Sequence, residues 1–392
     1  MKNKNRFFFW ALVPLWAILV LWNFIAPAKD FSESENRYLA AFPTYNTSAL
    51  LDGRFMDSVN DYLNDHFVGR PYWVGAQSLL EYGMGKREIN SVFLHKHTLL
   101  SSLTSADTHS LQRNILGINA FCKEYNLPAY VALVPSAAVV QPERLPALAH
   151  PWNEAEAIEQ IYRQLSPAIT AVDVFSVLKE HSGEYIYYRT DHHWTSYGAY
   201  LAYTQLAPAL GLPQRAQEEF AVTTLSNNFV GTYQSRTGLP WVTPDTLELY
   251  EAGQAVSYEI FFDPLKPPEE HDSLYFEEYL AKKDKYAYFL GPITNSPYVR
   301  IHTGSDSGQK LIVFKDSYAH CLIPMLLADY SEICLVDLRA MQAANYDDYL
   351  HVADYDAALF LYSTDVFARQ RGASLFVPLA TAAEGDAAPA LP

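Results

Sequence analysis

The chain has 392 residues and carries 28 Lys+Arg against 44 Asp+Glu, a formal net charge of −16. An acidic surface of this kind repels phosphate backbones, so a nucleic-acid partner is excluded from the expectations. With 49% hydrophobic and only 18% charged residues the chain holds ample core material and does not read as disordered.

The N-terminus sets the expected compartment. Lys2, Lys4 and Arg6 precede an uncharged run over 7–28, punctuated by Trp10, Trp16 and Trp22. As a helix that run is long enough to cross a hydrocarbon core of ~30 Å. The basic flank comes first, which predicts residues 1–6 in the cytoplasm, 7–28 as a retained single-pass anchor in the cell membrane, and the rest outside. Ala26-Pro27-Ala28 also fits a cleavage site, so a removed signal peptide is the competing expectation.

Residues 29–105 read as a stalk followed by a helical region. A helix is predicted over Gly53–Phe67, where Phe55, Val59, Leu63 and Phe67 recur at i+4, with Asp52 as its cap. From 106 to 370 helices and short apolar runs alternate. The predicted order is a helix 108–125, a strand 129–135, a helix 154–165, strands near 171–174 and 184–188, and a helix 195–210. Strand-like patches at 220–225 and 246–251 follow, then a strand 285–290, a strand ending at 315, a helix 318–329, and strands 333–336 and 357–362. Uninterrupted apolar runs between helices mark parallel strands buried on both faces, which predicts a three-layer α/β sandwich with a mostly parallel sheet. Residues 371–392 read as a tail, disordered at its end.

Cys122, Cys321 and Cys334 are too few and too scattered for a disulfide framework or a CxxC metal site; a Cys321–Cys334 pair is open. There is no internal repeat and no glycine-rich phosphate loop. Two segments carry chemistry. Asp191-His192-His193-Trp194 lies between a predicted strand and a predicted helix, and Asp316-Ser317 follows the apolar strand Leu311-Ile312-Val313-Phe314. A serine at a strand-to-helix turn stands at the carboxyl edge of a sheet, where open α/β sheets bind ligands. Its hydroxyl needs a base, and an imidazole needs a carboxylate to fix its tautomer. Asp191 and His193 supply both. A helix N-cap remains the bland alternative for Asp316-Ser317. His320 is a second-choice base, because a residue three further on is directed away from the turn. Asp191-His192-His193 as metal ligands lacks the companion motifs such a centre needs, so no metal and no diffusible cofactor is expected.

The motif TDHHWTSYGAY (190–200) resembles the signature of the bacterial DHHW protein family. The resemblance extends through ENRYLAAFP (35–43), ALVPSAAVVQPERLP (132–146), NNFVGTYQSRTG (227–238), DKYAYFLGPITNSP (284–297) and LIVFKDSYAHC (311–321). That family is similar in turn to the SGNH hydrolase-like proteins of alginate O-acetylation, in which an Asp-x-His precedes the serine. The resemblance implies Asp191, His193 and Ser317 as the catalytic triad, on an SGNH-like domain. It implies an O-acetyltransferase or O-acetylesterase acting on a cell-surface polysaccharide, or a silent carbohydrate-binding protein on the same fold. Lys315 stands where the SGNH pattern has glycine. Asn295 and the Gly231 N–H are the expected oxyanion donors, and Trp194, Tyr233 and Arg236 the expected substrate contacts. The expected partners are a polysaccharide, the bilayer through 7–28, and a membrane protein that donates acetyl groups.

Overall fold

The computed structural model describes residues 10–377 apart from 11–12, 15–16, 19, 24, 33–36, 342–345 and 371. The expected cytoplasmic stretch 1–6 lies outside the described residues, as do parts of 7–28 and of the tail. Among the described residues no helix is long and apolar enough to cross a membrane.

The chain divides into two compact units, 1–90 with 234–241, and 91–233 with 242–392. In the smaller unit three helices follow one another, Thr47–Leu51, Arg54–Asp65 and Arg70–Gly83. The helix expected over 53–67 forms as Arg54–Asp65. Gly53 takes the N-cap position at φ +88°, and the Asp52 carboxylate accepts the Arg54 N–H at 3.1 Å from one residue further out.

The larger unit is built on an eight-stranded sheet. In chain order its strands are β1 (Ala129–Val134), β2 (Ile169–Ala171), β3 (Ala255–Phe261), β4 (Glu269–His271), β5 (Tyr298–Thr303), β6 (Lys310–Lys315), β7 (Glu332–Val336) and β8 (Ala357–Ser363). Their spatial order is β4-β3-β5-β7-β6-β8-β1-β2. Strands β7, β6, β8, β1 and β2 run parallel, and β5, β3 and β4 continue the sheet antiparallel. The sheet is therefore mixed.

Period-two alternation sends successive side chains to opposite cores. Leu311 and Val313 of β6, with Leu359 and Leu361 of β8, face one core; Ile312, Phe314, Ala358 and Phe360 face the other. Helix α1 (Thr108–Tyr125) closes the second core with Leu111, Ile115, Ile118 and Phe121, helped by Ile158 and Ile161 of α2 (Glu154–Gln164). Phe121 stands edge-on to Phe314 and Phe360, with centroids 5.1 and 5.3 Å away. Truncating such a ring costs about 3–5 kcal/mol. Ala199, Ala202 and Leu206 of α3 (Ser196–Ala209) belong to the first core. The sequence reading starts the α/β domain at 106; the larger unit also takes in the hairpin Val92–His95/Thr98–Leu100, whose Phe93 and Leu100 join the first core.

Several expected elements are replaced. Residues 285–290 are not a strand: Lys285–Tyr288 is a 3₁₀ turn. Residues 318–329 form two 3₁₀ turns, Ser317–Ala319 and Ile323–Leu326, rather than an α-helix. Pro324 explains this, since it offers no N–H to the His320 carbonyl and its ring would clash there. Residues 184–188 hold only an isolated bridge, Tyr187 to Trp194. The patches near 220 and 246 pair with each other as a separate ribbon, Ala221–Phe229 with Asp245–Glu251. The three cysteines are buried free thiols, so Cys321 and Cys334 are not bridged.

Candidate active site

Strand β6 delivers Asp316 and Ser317 to the carboxyl edge of the parallel strands. The buried Asp316 fixes the turn in two directions. Its Oδ1 accepts the Tyr318 N–H at 2.9 Å, and its Oδ2 accepts the N–H and hydroxyl of Ser363, both at 2.7 Å, at the end of β8. The bland cap reading is thus right for Asp316, and it leaves the next side chain, Ser317, to its own partner.

The loop 186–195 folds back on itself. The Thr195 N–H donates to the Ile186 carbonyl at 3.0 Å, and the Tyr188 N–H to the His193 carbonyl at 3.2 Å. Thr195 then caps α3, its hydroxyl accepting the Gly198 N–H at 3.1 Å. Gly198 permits this fold-back, because a Cβ there would lie 2.3 Å from the Ile186 carbonyl oxygen.

At the tip of this loop, His193 Nε2 lies 2.7 Å from Ser317 Oγ and His193 Nδ1 lies 2.6 Å from Asp191 Oδ1. Asp191 and His193 are buried. The hydrogen bonds assign the tautomer: a carboxylate can only accept, so Nδ1 carries the proton and Nε2 accepts from the serine hydroxyl. Burial pushes the Asp191 carboxyl upward. The neighbouring His192 and His193 rings, the His193 hydrogen bond and the Thr232 N–H outweigh it and hold Asp191 well below the usual carboxylate range. Its second oxygen accepts the Thr232 N–H at 2.7 Å and the Thr232 hydroxyl at 3.0 Å.

A further layer supports the loop. Thr190 donates both its N–H (2.9 Å) and its hydroxyl (2.5 Å) to Asp245 Oδ2. Asp245 Oδ1 accepts from the Tyr185 hydroxyl and the Arg189 N–H. Burial raises the Asp245 pKa against the pull of these donors. Tyr286 lies face to face with His193, and its hydroxyl donates to the Ser317 carbonyl at 3.1 Å. Sequence reasoning missed Tyr286, Thr190, Thr232 and Asp245. The pattern Lys285-Tyr286-Ala287-Tyr288 was open to reading as a strand, and nothing local marks a ring that packs on a distant imidazole.

The other expected site residues fall elsewhere. The Gly231 N–H donates to the Thr190 hydroxyl at 2.9 Å, so it is committed to the loop rather than to an oxyanion. A Cβ on Gly231 would come within 2.2 Å of Asp191 Oδ2, so the position is glycine because the catalytic loop crosses it. Trp194 is fully buried and its indole donates to the Tyr318 carbonyl at 3.0 Å, which makes it a strut and not a substrate contact. Tyr233 is also buried, its N–H on the Thr190 carbonyl. Arg236 belongs to the smaller unit, where its guanidinium donates to the Asn90 carbonyl. Asn295 is exposed in the 3₁₀ turn Ile293–Asn295, three residues before β5 begins opposite Val336 at the same sheet edge.

His320 is not the base of Ser317. Its Nε2 meets Lys315 Nζ at 2.9 Å, and burial, then the Lys315 charge, push its pKa well below the usual imidazole value. Lys315 is itself buried and faces Asp337 Oδ2 at 3.9 Å, which offsets only part of the cost of burying its charge. Asp191, His192 and His193 gather their ligand atoms within 4.8 Å. Both ring nitrogens of His193 are engaged, however, and coordination by it would break the Ser317 or the Asp191 contact.

A mixed α/β sheet with serine, imidazole and carboxylate aligned at its carboxyl edge is the class these features define. The DHHW protein family matches residues 137–336, just over half of the chain, and the chain belongs to that family. The solved structure of a DHHW family protein from Eubacterium siraeum is similar, with a TM-score of 0.64 and 23% identity, covering 74% of this chain and 95% of that one. PatB1 of Bacillus cereus gives 0.61 and 21%, over 71% of this chain and 98% of that one. The same protein with a sulfonyl adduct gives 0.60 and 18%, over 71% and 96%. At these identities the likeness is one of fold. No curated protein sequence matches the chain.

Proposed function

We propose that the protein is a membrane-anchored, extracytoplasmic acyl-transfer enzyme of SGNH type, an O-acetyltransferase or O-acetylesterase of a cell-surface polysaccharide. The observation that carries the reading is the alignment of Ser317 Oγ, His193 and Asp191 at 2.7 and 2.6 Å, within the range for a nucleophile, its base and the orienting carboxylate. In this reading His193 Nε2 takes the Ser317 proton as Oγ attacks the acetyl carbonyl. The bond to the leaving alcohol breaks, and His193 returns the proton to that alcohol. A sugar hydroxyl or water, deprotonated by His193 in turn, attacks the acetyl carbonyl; the bond to Ser317 Oγ breaks, and His193 returns the proton to Oγ. Asp191, ionised throughout, stabilises the imidazolium that forms at each step. The Ser317 N–H and Asn295 are the proposed oxyanion donors. The basic residues before the apolar run 7–28 support the anchor and its orientation.

PatB1 of Bacillus cereus, which shares the fold, has been captured with a sulfonyl adduct. The same class of reagent tests this chain: a sulfonyl fluoride or fluorophosphonate is expected to modify Ser317 covalently, and the label should disappear in Ser317→Ala. Absence of any Ser317 adduct in the folded parent would remove the enzyme reading.

A further inference from the structure

Large apolar side chains are exposed unevenly along the chain. Beyond Met84 only Leu116, Leu148, Val222, Phe262 and Leu265 among the described residues are exposed, whereas the smaller unit is rich in them. The helix Arg70–Gly83 shows the pattern most clearly. At 3.6 residues per turn, Leu79, Tyr72, Ala76, Leu80 and Trp73 fall on one face about 120° wide. No charged residue interrupts it. Tyr72 is 85% exposed, Leu80 70%, Trp73 52% and Leu79 44%. The buried positions of this helix are instead the small residues Gly75 and Ser78. An amphipathic helix in water turns its apolar face inward. Here the face is turned out, and a contiguous apolar surface of that kind marks a site of interaction.

Its position within the smaller unit indicates what covers it. Asn23 Oδ1 accepts the Val68 N–H at 3.0 Å, and His66 Nε2 lies 3.0 Å from the Lys29 carbonyl oxygen. These contacts tie the end of the apolar run 7–28 to the corner from which Arg70–Gly83 starts. The Trp73 indole donates to the Val68 carbonyl in that same corner, at 3.2 Å. In the run itself Ile18, Leu21, Trp22 and Ile25 are exposed. The two apolar surfaces therefore meet at one corner. Tyr and Trp, with an apolar body and a polar tip, are the residues that settle at the headgroup level of a bilayer.

We propose that the helix Arg70–Gly83 lies in the interface of the bilayer that the N-terminal run enters, with Tyr72, Trp73, Leu79 and Leu80 at the headgroup–acyl boundary. This rests on the membrane-anchored reading of residues 7–28. An apolar face without charges or a built polar site matches a lipid surface, whose acyl region offers nothing to pair with.

The test uses the full chain in nanodiscs of phosphatidylcholine and phosphatidylglycerol, with a nitroxide on Leu80→Cys. Labels on Ile18→Cys in the apolar run and on the exposed Glu159→Cys in α2 serve as references. The native thiols are buried. At Leu80 the collision rate with oxygen is expected to exceed that with a water-soluble nickel chelate several-fold, and at Glu159 the order should reverse. Tyr72→Cys, the most exposed position of the face, repeats the reading should Leu80→Cys fail to fold. An aqueous reading on this face overturns the proposal whichever way Ile18 reads. If Ile18 then reads as lipid, the anchor stands without it. Lipid readings at Leu80 with an aqueous Ile18 remove the anchor and retain the interfacial helix.

Discussion

The rings of Tyr286 and His193 lie almost parallel, 14° apart, with their centroids separated by 3.9 Å. Because the Tyr286 hydroxyl also donates to the Ser317 carbonyl, one side chain braces both the base and the nucleophile. The His320 ring is also nearly parallel to Tyr286, with the centroids 6.2 Å apart. Stacking restricts rotation of the imidazole about its long axis, and the electron-rich face favours the imidazolium that forms during attack.

Tyr286→Leu removes both effects. A cation over an aromatic face is worth about 0.5–2 kcal/mol, so the rate of Ser317 modification by a fluorophosphonate should fall by roughly 2- to 30-fold. Tyr286→Phe keeps the stack and loses the hydroxyl, with its hydrogen bond to Ser317 and its contact with Cys321, and should stay near the parent. Equal rates in the leucine variant and the parent would show that the stack does nothing for the nucleophile.

The triad variants should follow the logic of a cooperating unit. Ser317→Ala and His193→Ala are each expected to abolish hydrolysis of p-nitrophenyl acetate above background, and the double variant should be no worse than either. Asp191→Asn should retain more activity than those two, since the imidazole is still present. It also weakens the acceptor of two donors from Thr232, so a fall in melting temperature is expected along with the rate. If all of these variants hydrolyse the ester like the parent, the serine mechanism is wrong.

The core of this fold was legible where strands are buried on both faces. Leu311-Ile312-Val313-Phe314 and Ala357–Tyr362 have no alternative as apolar runs of strand length, and α1 is fixed by its own periodicity. Strands β3 and β5 escaped because Glu259, Arg300 and His302 interrupt their apolar character. Conversely, Tyr318–Asp329 is apolar enough to suggest a helix, and the decisive residue is the single Pro324. For the site, Asp191, His193 and Ser317 were readable because each chemistry demands its residue type. Tyr286, Thr232 and Asp245 were not, because stacking and second-layer hydrogen bonds can be made by many residues and carry no local spacing.

Gly231 gives a sharp steric test. An ideal Cβ there would lie 2.2 Å from Asp191 Oδ2 and 2.3 Å from Asp191 Cβ, far inside contact distance. Gly231→Ala must push the carboxylate away or shift the loop, and overpacking of this kind costs about 1–3 kcal/mol. The displaced Asp191 no longer fixes the His193 tautomer, so activity should drop at least as far as in Asp191→Asn. A parent-like rate in Gly231→Ala would mean that Asp191 can move without consequence, and hence that it does not orient His193.

Lys315 occupies the position directly before Asp316-Ser317, fully inside the protein, and the pH dependence of stability should report it. Burial pulls its pKa from 10.5 down to about 8, against the opposing pull of Asp337. The unfolded chain keeps this proton until near pH 10.5, while the folded chain releases it near pH 8. Between those values the unfolded state binds more protons, so the Lys315 contribution to stability rises with pH. Below pH 8 the charged ammonium is a burden on the fold; above 10.5 both states are neutral and the burden is gone. Lys315→Met deletes the titration and leaves Asp337 paired with Arg339. Other groups titrate alike in the parent and the variant, so the difference between their stabilities isolates this lysine. From pH 8 to 10.5 that difference should move in favour of the parent, by on the order of 3 kcal/mol. Loss of the Lys315–His320 contact adds an offset that does not change over this range, because His320 is already neutral there. Denaturant unfolding of both proteins at several pH values supplies the measurement. A difference that stays flat across the window would mean that Lys315 is charged in the folded protein throughout, and that Asp337 holds its proton more tightly than burial drives it off.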